Sequence, residues 1–141
     1  MNDPHDLQRF VEAQATVYER ALAELKAGLK QSHWMWFVFP QIAGLGHSDM
    51  ARRYAISGAE EAKAYLEHSL LGPRLEECAQ ALLEHAGRPA RRILGSPDDM
   101  KLHSSMTLFA TVAPERTVFQ AVLDAFYAAR PDTATLSRLD R

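Results

Sequence analysis

Lys101 stands three residues after Asp98 and four before Ser105 in the stretch Asp98-Asp99-Met100-Lys101-Leu102-His103-Ser104-Ser105-Met106-Thr107-Leu108-Phe109. On a helix Asp98, Lys101 and Ser105 lie close to one line. A lysine beside a hydroxyl can bind phosphate or lower the pKa of the serine, making it a nucleophile. The plainer reading is a surface pair between Asp98 and Lys101. Ser104, Ser105 and Thr107 form a cluster of short hydroxyls, which compete for backbone hydrogen bonds inside a helix. Such a cluster needs tight packing or a ligand to explain it.

A second set is Ser32-His33-Trp34-Met35-Trp36-Phe37-Val38-Phe39-Pro40-Gln41, which holds both tryptophans and two of the six phenylalanines. Large rings contribute heavily to apolar burial, so core packing explains most of this run. His33 and Gln41 are polar exceptions at its edges. Trp34 or Trp36 could stack on a planar ring. His33 is a residue type suited to acid–base work.

The third set, Gly44-Leu45-Gly46-His47-Ser48, follows directly. A glycine-rich turn before a helix can point backbone N–H groups at an anion. Arg52 and Arg53, read as lying in the first turn of that helix, oppose its dipole and argue for an anionic ligand. The turn does not follow a strand, so it is not a dinucleotide fingerprint. An ordinary turn capped by Ser48 accounts for it better.

Other signals are weaker. Asp99 and His103 could share a metal, but no second pair or HExxH pattern accompanies them, so neither a metal nor a cofactor is expected. Cys78 falls on an apolar helix stripe and reads as a small buried hydrophobe. As the only cysteine it has no partner for an internal disulfide, which fits a reducing compartment. Arg88, Arg91 and Arg92 read as a solvated face.

These sets must be positioned by helices. Asp3-Pro4 opens the first, and Thr16 to Lys26 forms a second that stops near Gly28. Ser48 starts another, and Ser57 with Glu60 reads as a capping box. Leu71, Leu75, Cys78, Ala79 and Leu82 make an amphipathic stripe ending near Gly87. A short helix closes at Gly95. Ser96-Pro97-Asp98-Asp99 reads as a serine cap, a proline and two acids at the next helix start. Pro114 opens a long helix, and Asp132 caps a terminal one. Trp34 to Phe39 reads as a short helix, because a lone strand would lack backbone partners.

The 141 residues, 47% hydrophobic and 24% charged, fit one ordinary globular domain. A net charge of −2 offers no global field for nucleic acid. The N-terminus lacks a targeting pattern, and Trp34 to Pro40 falls far short of the roughly 20 residues of a membrane span. A soluble cytoplasmic protein is expected.

The motifs at 32–41, 44–48 and 99–109 closely resemble the bacterial family catalogued as domain of unknown function 1810. Phe10, Ala13, Gln14 and Tyr18 match the family too, as does Leu71-Gly72-Pro73-Arg74-Leu75. The resemblance implies an all-helical fold and no established activity. Some members carry a calpastatin-like label; calpastatins are disordered, whereas this chain has the caps and stripes of a packed domain. The chain is also loosely similar to small helical N-glycosidases that cleave riboside-type or ADP-ribosyl linkages.

The expectation is therefore a single compact, orthogonal all-α domain over residues 1–141, with seven to nine helices. The three sets would meet in a site for a planar anionic ligand, nucleotide or ADP-ribose-like, and a hydrolase would act on its glycosidic or phosphate bond. His33, Lys101 and Ser105 would be catalytic. Trp34, Trp36, Gln41, Gly44, Gly46, Ser48, Ser104 and Thr107 would bind the ligand. The alternative is a non-enzymatic module whose aromatic 33–41 segment binds a partner helix or drives self-association into a homo-oligomer.

Overall fold

The computed structural model describes residues 3–139, and all its regular structure is helical. The outermost residues of the expected 1–141 domain lie outside those described. Ten helices follow one another: α1 Gln8–Gln14, α2 Tyr18–Ala27, α3 Met35–Val38, α4 Asp49–Arg53, α5 Ala59–Glu67, α6 Leu71–Leu83, α7 Ala90–Leu94, α8 Asp98–Val112, α9 Thr117–Phe126 and α10 Thr133–Leu139. The expected seven to nine falls short. α3, α4 and α7, each anticipated as a helix from local signals, have only four or five residues, about one turn.

α8 lies at the centre, with α5, α7, α9 and α10 packed around it. Leu102 and every residue from 104 to 109 are buried. A helix enclosed on several sides needs no single apolar stripe. Two of its threonines return their hydroxyls to its own carbonyls, buried Thr107 Oγ1 donating to His103 O at 2.8 Å and exposed Thr111 Oγ1 to Thr107 O at 2.6 Å. Packing thus explains much of the hydroxyl cluster.

A chain of aromatic contacts crosses the core. Phe37 meets Tyr54, Tyr54 meets Phe10, Phe10 meets Tyr65, Tyr65 meets Phe109, and Phe109 meets Phe119, with centroids 5.1–5.7 Å apart. These separations suit tilted and edge-to-face rings. They tie α3 to α1, α5, α8 and α9.

Polar groups then fix α3 and the chain after it. Buried Gln14 donates from Nε2 to the Phe37 carbonyl at 2.7 Å. Glu24 accepts from the Gln31 and Ser32 amides, the Ser32 hydroxyl and the Trp34 indole. Beyond α3, Ile42 and Ile56 form one parallel bridge. The Ile56 amide donates to the Gln41 carbonyl, and the Ala43 amide to the Ile56 carbonyl, both at 2.8 Å.

Several helix boundaries follow the local signals. α2 ends at Gly28, and Ser48 Oγ accepts the Ala51 amide at 3.1 Å. Other boundaries differ from expectation. Asp3 accepts the Leu7 and Gln8 amides, but α1 begins only at Gln8 behind Leu7, and α9 begins at Thr117 behind Arg116 rather than at Pro114. Gly58 is the N-cap of α5, and Ser57 pairs through its amide and hydroxyl with Glu61 rather than Glu60. Pro97 is the N-cap of α8, with no side-chain cap from Ser96.

Candidate functional site

A cleft of about 290 Å³ opens where three segments meet. Gln41, Leu45 and Gly46 come from the connection between α3 and α4. Pro97, Met100, Lys101 and Ser104 come from the start of α8, and Asp132 and Ala134 from the start of α10. Four of the expected site residues, Gln41, Gly46, Lys101 and Ser104, therefore line one cleft. The bridge at Ile42 anchors the backbone of Gln41 there.

Lys101 sits between two partners. Its Nζ lies 4.9 Å from the centroid of the half-buried Trp36 ring and 3.7 Å from Asp98 Oδ1. Asp98 is held more closely from the other side, by Lys30 Nζ on Oδ2 at 2.8 Å. Lys30 in turn lies 5.2 Å from the Trp34 ring centroid. Coulomb attraction falls with distance, so Lys30 is the principal counter-charge of Asp98. Lys101 is left as the loosely paired cation of the cleft.

Asp132 brings a carboxylate to the same cleft. Its Oδ2 accepts the Ser104 hydroxyl at 2.9 Å, the Thr135 hydroxyl at 2.6 Å and the Thr135 amide at 3.3 Å. The last is an N-cap bond of the expected kind. The Asp132 amide donates to Thr107 Oγ1 at 2.8 Å. Thr107 is thus a brace behind the cleft wall.

The remaining expected site residues lie elsewhere. Trp34 is fully buried, with its indole bonded to Glu24 at 2.9 Å, so it offers no ring face at the surface. His33 is exposed in the bend before α3 and does not line the cleft. Ser105 is fully buried, its Oγ without a hydrogen-bond partner among the described residues. That burial closes it to solvent and substrate alike. Gly44, at φ 97°, carries the Arg138 guanidinium against its backbone, and the Ser48 hydroxyl is spent on the α4 cap. Arg52 and Arg53 occupy the last turn of the five-residue α4, where positive charge suits the dipole. Their placement therefore gives no support to an anionic ligand.

Sequence reasoning marked Asp132 as a cap but not as a cleft residue, and it missed Lys30. The acid's cap position was the local signal; its approach to Ser104 depends on how α10 returns to α8. Among the described residues no group of three or more His, Cys, Asp or Glu side chains could hold a metal. His103 stacks on Tyr127 with centroids 4.3 Å apart, and its Nε2 bonds the Arg130 carbonyl. Cys78 is buried, which pushes its thiol up to about 12.

A larger recess of about 670 Å³ lies between α2 and residues 29–32. Its carboxylate, Glu24, is already occupied by four donors from residues 31–34. The smaller cleft has the better chemistry, because its cation and carboxylate retain capacity for a ligand.

Fold and cleft together define an all-helical protein with a polar site between the α3–α4 connection, α8 and α10. The chain belongs to the family described as protein of unknown function (DUF1810), whose model matches residues 4–139. It is similar to the conserved hypothetical protein Rv1873 from Mycobacterium tuberculosis, known from a crystal structure. The two share 52% identity, a TM-score of 0.96 and coverage of 99% of each chain. None of the curated proteins matches the sequence. Among the described residues no helix is long and apolar enough to cross a membrane.

Proposed function

We propose that the cleft walled by Gln41, Lys101, Ser104 and Asp132 is a small-molecule site for a planar anionic ligand of nucleotide or ADP-ribose kind. The observation that carries this reading is convergence. Residues from the aromatic–glycine segment and from α8, far apart in sequence, line one recess together with a loosely paired lysine. Lys101 would hold a phosphate. Trp36, beneath Lys101, would border a ring, and the Gln41 amide would meet polar atoms. Hydrolysis of a glycosidic or phosphate bond is the reaction such a site would run. Asp132 and Ser104 replace His33 and Ser105 as the groups placed for proton transfer.

Burial within residues 33–41 favours this reading over an interaction module. Trp34, Phe37 and Phe39 are turned into the core, which leaves little aromatic surface for a partner helix. A thermal-shift series with AMP, ADP, ADP-ribose and NAD tests the proposal. At least one should raise the melting temperature; no rise at millimolar concentration would overturn it.

A further inference from the structure

We infer that the ligand carries hydroxyl donors as well as its anionic group, and that Asp132 holds the ribose diol of a ribonucleoside phosphate. This inference rests on the cleft being a ligand site. Its starting point is the uneven use of the Asp132 carboxylate. Oδ2 takes three donors: Ser104 Oγ, Thr135 Oγ1 and the Thr135 amide. No donor among the described residues bonds Oδ1. Capping and bracing α10 therefore account for one oxygen and leave the other, on a residue that lines the cleft.

An ionised carboxylate only accepts hydrogen bonds, whereas a lysine only donates. A ligand that meets both Lys101 and Asp132 must present acceptors to one and donors to the other. A bare anion would satisfy Lys101 and be repelled by Asp132. A sugar phosphate supplies both, with its phosphate for Lys101 and its hydroxyls for Asp132. The charge is matched as well: Lys101 is shared with Asp98 at 3.7 Å, which suits one phosphate better than a polyphosphate.

Size points the same way. A cleft of about 290 Å³ lies at the lower end of small-molecule pockets, which run from roughly 300 Å³ upward. It suits a ribose phosphate, with the base left to extend past Lys101 towards Trp36, which does not itself line the cleft. The carboxylate is also held in place: Thr107 fixes its backbone amide and Ser104 its side chain. A preorganised acceptor distinguishes a hydroxylated sugar from one lacking hydroxyls, because a lost donor leaves the acceptor unpaired.

The test compares AMP with 2′,3′-dideoxy-AMP by calorimetric titration of the full chain and of Asp132→Asn. Asparagine remains a good N-cap, so α10 should persist in the variant. AMP should bind wild type on the order of tenfold or more tighter than the dideoxy compound, the worth of a hydrogen bond to a charged group. Asp132→Asn should lose most of that preference while binding the dideoxy compound at least as tightly as wild type does, since the repulsion of its phosphate is removed. Equal affinity of the two compounds for wild type would overturn the inference alone, as would a preference that survives in Asp132→Asn. No binding of AMP at millimolar concentration would overturn the inference, and joined by no thermal shift with ADP, ADP-ribose or NAD it would overturn the reading beneath it as well.

Discussion

The hydroxyl of Ser104 on α8 donates to Asp132 at the start of α10 across 2.9 Å, joining the last helix to the wall of the cleft. The same oxygen receives the Thr135 hydroxyl and amide. One carboxylate thus serves helix capping and the docking of α10.

Ser104→Ala should loosen this joint while leaving the core in place. The expected loss is about 1–2 kcal/mol, because the acceptor keeps its Thr135 donors. Amide exchange should quicken at residues 134–137 and stay slow in the buried half of α8. Unchanged exchange across α10 would contradict the role given to this bond.

Glu24 organises the approach to the aromatic segment, and its contribution depends on pH. Burial opposes its charge, but hydrogen bonds from Ser32, Gln31 and Trp34 outweigh that and hold the carboxyl at about 2, below the ordinary 4.5. The lowered folded-state value means this stabilisation is complete above about 4.5 and fades as pH falls towards 2. Glu24→Ala should cost about 1–3 kcal/mol at pH 7, since the Trp34 indole loses its acceptor. Urea unfolding at pH 7 and pH 3 should show a smaller difference between variant and wild type at pH 3; an equal difference would refute the linkage.

Gly72 sits where α6 starts against the end of α5. A Cβ there would collide with the backbone carbonyl of Leu66, which no side-chain rotation can relieve. Gly72→Ala should therefore destabilise by roughly 1–3 kcal/mol or more. Thermal unfolding of the variant at wild-type temperature would show that the α5–α6 junction moves freely.

Cys78 should be inert in the native protein. Burial raises its thiol to about 12, so little thiolate exists at pH 8. Ellman's reagent should label it slowly without denaturant and rapidly in 6 M guanidinium. Fast stoichiometric labelling of the folded chain would mean the α6 stripe opens readily.

Sequence signals served best where their physics is local. Ser48, Gly28 and Asp132 end or start helices as their side chains or backbone freedom dictate. Ser57 shows where this fails: its register with Glu61 rather than Glu60 depends on Arg9, which binds the other Glu61 oxygen from a distant helix. The meeting of the glycine segment with α8 was anticipated from residue types. The role of Asp132 was not, because a cap motif does not reveal which wall its helix returns to. Trp34 and Ser105 were misplaced for one reason: their segments are enclosed almost all round, with residues 104–109 all buried and only Trp36 half-buried between 34 and 40, and composition does not show how many neighbours a helix will have.

The central claim is that Lys101 serves a ligand in the cleft rather than only Asp98. Calorimetric titration of AMP into wild type and Lys101→Met tests it most directly, since methionine keeps an apolar stem over Trp36 without the charge. The cleft reading predicts binding to wild type and a loss of at least about tenfold in the variant, the worth of a charge-assisted hydrogen bond. Equal affinity in the two proteins would contradict it, and so would the absence of binding to either.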